Sequence, residues 1–93
     1  MVDLRQHPDG KGLTFPCELE LMAFGPADPG FAARIEGLLV EAGAQRTADP
    51  LRVRQSSAGH YYSVHVPLKL QSRAEMERYY ALLRAQPDVK YCL

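Results

Sequence analysis

The sequence predicts an α+β domain of the ferredoxin-like kind. This is a βαββαβ chain whose four-stranded antiparallel sheet carries both helices on one face. Three observations predict it. Residues 17–24 and 61–70 alternate apolar and polar side chains with period two, the pattern of long, half-buried strands. Residues 28–43 and 72–86 repeat apolar side chains at helical spacing. The segments follow one another as β-α-β-β-α-β, and two helices of similar length need one sheet face to cover.

The first strand, 17–24, sets Cys17, Leu19, Leu21 and Ala23 on one face and Glu18, Glu20 and Met22 on the other. Gly25-Pro26 is expected to end it, because proline cannot donate to a ladder. Asp28 followed by Pro29 reads as a helix start, the carboxylate accepting from free backbone N–H groups. Phe31, Ile35, Leu38, Leu39 and Ala42 form the apolar stripe of that helix, and Gly43 is its stop.

Residues 45–50 are read as a connection and 51–55 as the second strand. Ser56-Ser57-Ala58-Gly59 is a small-residue turn, with Gly59 expected at positive φ. The third strand, 61–70, sets Tyr62, Val64, Val66, Leu68 and Leu70 inward. Pro67 conflicts with an inner strand and predicts a bulge or a pairing gap. Ser72-Arg-Ala-Glu75 matches a capping box, with Glu75 reaching back to the cap N–H. Met76, Tyr79, Tyr80 and Leu83 continue that helix, one of the two tyrosines packing inward and the other at the rim. The chain closes on a short strand, 89–93. The expected core sets Phe31, Ile35, Leu38, Leu39, Met76 and Leu83 against Leu19, Leu21, Val53, Val64 and Val66. By parity Cys17 points to the core, and Cys92 points away from it with Lys90.

The chain has 93 residues, enough for a single domain. Residues 1–14 are polar and contain Pro8, Gly10 and Gly12, so they read as a flexible arm before a domain over 15–93. Eleven Lys and Arg balance eleven Asp and Glu, which argues against nucleic acid as a partner. Two cysteines do not make a disulfide framework. No apolar run has the length of a membrane span, and the N-terminus lacks the apolar centre of a signal peptide. A cytoplasmic protein with reduced thiols is the expectation.

Several short motifs carry a family resemblance. Phe15-Pro16 opens the first strand and Phe24-Gly25 closes it. Arg54, Ser56-Ser57 and Gly59 mark the hairpin, Tyr61-Tyr62 and Ser63-Val64 follow it, and Pro87-Asp88-Val89-Lys90-Tyr91 with Leu93 ends the chain. In order and spacing these resemble the YbeD-like family of small uncharacterised bacterial proteins. The resemblance implies a ferredoxin-like fold close to that of ACT regulatory domains, and a link to lipoate metabolism. The chain departs from the family pattern at Gln55, Ala58 and His60, where similar proteins commonly have Pro, Lys and Asn. A hairpin that held an anion through that Lys would lack the charge here.

No constellation specifies a reaction. His7, His60, His65, Cys17 and Cys92 show neither C-x-x-C nor H-x-x-x-H spacing, so no metal and no cofactor is expected. Ser56, Ser57 and Ser63 lie near His60 and His65, but no Asp stands on the hairpin to orient an imidazole. The turn could present backbone N–H groups to an anion, flanked by Arg54 and His60; a tight hairpin with serine-to-backbone bonds accounts for it more simply. The open sheet face carries Glu18, Glu20, Met22, Arg52, Arg54, Tyr61, Ser63, His65, Lys69, Lys90 and Cys92, with Tyr61 the one aromatic among its central positions.

The sequence therefore points to a non-enzymatic regulatory or interaction module, as a monomer or homodimer, that binds a partner protein or a small metabolite. The binding residues would be Arg54, Ser56, Ser57, Gly59, His60, Tyr61 and His65. The competing readings are a small enzyme with a His/Ser constellation around 56–65, and a weak RNA-binding module.

Overall fold

Leu21 and Ala23 alternate inward on one strand, Val64 and Val66 on its neighbour, and the sheet is built on that pair. The computed structural model describes residues 13–93. In chain order the elements are β1 (Cys17–Pro26), α1 (Phe31–Glu41), β2 (Gln45–Arg46), β3 (Arg52–Gln55), β4 (Tyr61–Leu70), α2 (Arg73–Arg84) and β5 (Tyr91–Cys92). β1 and β4 run antiparallel along their whole length, from Cys17 opposite Leu70 to Pro26 opposite Tyr61. β5 pairs with the outer side of β1, and β2 and β3 both pair with the outer side of β4. All pairs are antiparallel, and the strand order is that of a ferredoxin-like sandwich.

The helices cover one face. Phe31, Ile35 and Leu39 of α1 and Met76, Tyr79, Tyr80 and Leu83 of α2 form one cluster with Leu21, Ala23, Val64, Val66, Leu68 and Leu70 of the sheet. Leu13 and Phe15 pack against it, partly buried. The remainder of the expected arm, residues 1–12, lies outside the described residues.

The second strand is broken in two, so the sheet has five strands instead of the expected four. Gln45 and Arg46, within the stretch expected to be a connection, pair with β4, and the ladder resumes only at Arg52. Pro67 is the reason. Its carbonyl accepts from Thr47 N at 3.2 Å, on the outer side of β4. In an antiparallel strand the N and C=O of one residue face the same neighbour. The missing donor of Pro67 therefore falls on the broken edge, and the β1–β4 ladder stays whole. Arg46 pins the break. Its Nε donates to Pro67 O at 3.2 Å, its Nη2 to Asp49 O at 2.7 Å, and its Nη1 to the Glu36 carboxylate on α1.

The turn residues behave as their chemistry requires, with two adjustments. Gly43 ends α1 at φ +102°, and Gly59 sits in the hairpin at φ +81°. Asp28 does not cap the helix directly. It builds a turn one step earlier, its Oδ1 accepting from Gly30 N at 3.1 Å and its carbonyl from Phe31 N at 2.9 Å. Ser72 caps α2, its Oγ accepting from Glu75 N at 3.1 Å. Glu75 reaches back past the cap, accepting from Gln71 N at 2.7 Å, and its other oxygen takes the Tyr79 hydroxyl at 2.7 Å.

Four sequence expectations are corrected. β1 runs through Gly25 to Pro26, whose nitrogen faces the β5 side beyond the last paired residue of β5, so no ladder bond is lost. Val53 shares the face of Val64 but is 43% exposed, because β3 lies beyond the reach of either helix. Tyr79 and Tyr80 are both buried. Cys92 stands opposite Ala23 and packs on the core, not on the open face. Its strand is two residues long, and its phase is set by the Phe24–Tyr91 pair, which places Tyr91 outward.

Candidate functional site

The open sheet face carries a row of three aromatic rings. Phe24 has the parity of Met22 and points away from the helices. Tyr91 of β5 is its direct partner on one side, with ring centroids 4.8 Å apart and planes at 12°. On the other side Tyr61 of β4, diagonal to Phe24 across the ladder, stacks at 5.1 Å and 26°. Such cross-strand aromatic pairs contribute about 0.5–1.5 kcal/mol each beyond area burial. The row is open to solvent: Tyr61 is 36% and Tyr91 50% exposed. Backbone bonds hold β5 in place for it, Lys90 N donating to Phe24 O at 2.7 Å and Leu93 N to Met22 O at 2.8 Å.

A shallow cavity of about 350 Å³ lies at the Tyr61 end, lined by Pro26, His60, Tyr61, Asp88 and Lys90. The Lys90 ammonium stands 6.0 Å from the Tyr61 ring centre, within cation–π range. The Asp88 carboxylate is held by Arg34, whose Nη2 lies 2.7 Å from both oxygens, and that guanidinium keeps the carboxyl below its usual range.

A second polar group lies further along the same face. Arg52 donates to Glu20 at 2.7 and 3.1 Å, and His65 Nδ1 lies 3.5 Å from Glu20 Oε1. The Arg52 hydrogen bond lowers the Glu20 pKa. Burial pushes the half-buried His65 imidazole below its ordinary value, Arg52 adds to that, and Glu20 opposes it. His65 is four residues along β4 from Tyr61, roughly 13 Å at strand rise.

The hairpin turns its polar groups on itself. Ser56 N donates to Tyr61 O at 2.9 Å, Gly59 N to Ser56 O at 2.9 Å, and Tyr61 N to Ser56 Oγ at 3.2 Å. Gln55 Nε2 reaches Gly59 O at 3.3 Å. Ser56 and Gly59 therefore build the turn, as serine-to-backbone bonding predicts, and three N–H groups that an anion would need are engaged. Ser57 and His60 are exposed at the tip, and Arg54 is exposed on β3 opposite Ser63.

Among the described residues, no three His, Cys, Asp or Glu side chains converge as metal ligands. Cys17 and Cys92 are free, and burial pushes both thiols up in pKa.

The profile of the family described as "Protein of unknown function (DUF493)" matches residues 11–93. The chain belongs to this family. A UPF0250 protein of Stenotrophomonas maltophilia is 36% identical over 87 residues, covering 94% of each chain. One from Xanthomonas axonopodis pv. citri is 34% identical over the same coverage. A third, from Xylella fastidiosa, is 26% identical over 92 residues, 99% of this chain and all of the relative. These DUF493 relatives are thus similar to the chain along its length, as the YbeD-like resemblance had implied.

The seven residues singled out in the sequence do not form one site. His60 and Tyr61 share the shallow cavity with Lys90. Arg54 flanks the aromatic row, His65 belongs to the Glu20–Arg52 group, and Ser56 and Gly59 belong to the turn. Phe24 and Tyr91 were missed. Simple parity with Glu18, Glu20 and Met22 exposes Phe24. Tyr91 carries no such signal, because two strand residues do not reveal their own phase.

Proposed function

We propose that the domain is a binding module that holds a partner protein or a small metabolite on its open sheet face and performs no reaction itself. One observation carries this reading: the Tyr61–Phe24–Tyr91 row, three rings held in register across three strands and left uncovered. An exposed aromatic cluster on a rigid sheet suits recognition, since large rings add contact area at small entropic cost. The engagement of Ser56 within the turn weakens the reading in which a serine and a histidine make a nucleophile. The YbeD-like resemblance supports looking for the partner in lipoate metabolism, and a cytoplasmic setting goes with that.

The experiment is capture of ligands and proteins by immobilised domain, compared with the Tyr61→Ala/Tyr91→Ala variant. Both side chains are exposed, so the fold should survive. The variant is expected to lose the captured species. Unchanged capture would overturn the site. Substrate turnover by purified protein, abolished by His60→Ala or His65→Ala, would overturn the non-enzymatic reading.

A further inference from the structure

The aromatic row is flanked by cations that have no carboxylate of their own. Arg54 stands across β4 from Phe24, opposite Ser63, and Lys90 projects over Tyr61. Among the described residues neither forms a salt bridge, while Glu20 is held by Arg52 at 2.7 Å and Asp88 by Arg34 at 2.7 Å. Arg54 and Lys90 are therefore uncommitted positive charges beside the rings, although the chain as a whole is neutral.

We infer that the occupant of this face is an extended acidic peptide segment, in which Asp or Glu alternates with aliphatic residues. The inference rests on the reading of the open face as a binding surface. Charge complementarity is the first argument: two uncommitted cations near the Tyr61 end of an apolar strip call for carboxylates beside apolar side chains. Ring orientation is the second. Phe24 is stacked against a ring on each side, and Tyr61 has Phe24 beside it and an ammonium over it. The middle of the row presents ring edges, which are the positive rim of the aromatic quadrupole. Carboxylates and aliphatic groups suit such edges. Length is the third. The row spans about 10 Å, the reach of about three extended residues.

The test is selection from a phage-displayed library of random peptides against the intact domain, followed by affinities of the selected peptides in solution. Selected sequences are expected to be net negative with interleaved Leu, Ile or Val. Their binding should weaken about tenfold in Arg54→Glu/Lys90→Glu, whose fold is checked by amide NMR spectra. A fresh selection on that charge-reversed variant should return basic sequences. Neutral or basic sequences from the native domain, or no selection at all, would overturn the inference. So would displacement of a selected peptide by fluorescein-labelled oligouridylate from the same amides. If the peptides ignore the charge reversal but are lost on Tyr61→Ala/Tyr91→Ala, the acidic occupant falls and the binding face stands. If they ignore both variants, both readings fall.

Discussion

The ring of Phe31 lies where a Cβ on Gly25 would be. An added Cβ would stand 2.8 and 2.9 Å from its Cε1 and Cε2, closer than any real contact, with Cζ nearer still. Glycine there lets the first residue of α1 close against the end of β1, directly behind Phe24. The core and the aromatic row thus share one backbone position, packed from both faces.

Gly25→Ala should accordingly destabilise the domain by about 1–3 kcal/mol, the range for overpacking a core. Urea unfolding monitored by circular dichroism would measure it. Phe31→Leu in the same chain should recover part of that loss, because the two positions compete for one volume. Additive losses would show that the clash is relieved elsewhere.

Arg46 holds the interrupted edge by three contacts, to Glu36 and to the carbonyls of Asp49 and Pro67. Arg46→Ala should cost about 1–2 kcal/mol, modest because the ion pair is partly exposed. Hydrogen exchange should show the effect concentrated in residues 45–55, with β1 and β4 amides unchanged in relative protection. A uniform loss of protection would contradict the separation of edge from centre.

His65 should make stability fall on mild acidification. Its pKa in the fold lies below the ordinary 6.5, through burial first and then the Arg52 charge. The unfolded chain therefore binds the proton more readily, and stability rises with pH across the interval between the two values. His65→Gln should flatten the stability profile in that interval. The Glu20 and Asp88 pairs with arginine act lower, around the ordinary carboxylate range, where acid removes their contribution. A native profile already flat from pH 5 to 7 would refute the His65 assignment.

Cys17 and Cys92 should react slowly with a thiol reagent in the folded protein, since burial keeps both thiols protonated. Denaturation without reductant should release two rapidly titrating groups, matching the two cysteines of the chain. Fast native labelling of Cys92 would contradict its place against Tyr80, whose own hydroxyl is pushed up to about 12 by burial.

The parts of the fold that sequence discloses are those whose chemistry is local. Alternation in β1 and β4, the Ser72 cap, the positive φ of Gly43 and Gly59, and the gap caused by Pro67 all follow from a few adjacent residues. The errors arose where a distant partner decides. Val53 has a core-facing parity, but whether a helix reaches it depends on the packing of the whole layer. The phase of β5 depends on Phe24, far away in sequence. The candidate site suffered most from this, because the place of Tyr91 depends on that register, and the small polar residues of the hairpin point to a turn that mostly satisfies itself.

The proline in β4 has one more effect. A sheet that leaves an aromatic face uncovered risks recruiting other sheets along its borders. Here the border beside β4 has two paired residues, a gap and four more. That border offers no long unbroken run to template a foreign strand. By withholding a single amide hydrogen, Pro67 breaks it into short pieces, so that the uncovered aromatic face is not joined there by a long adhesive edge.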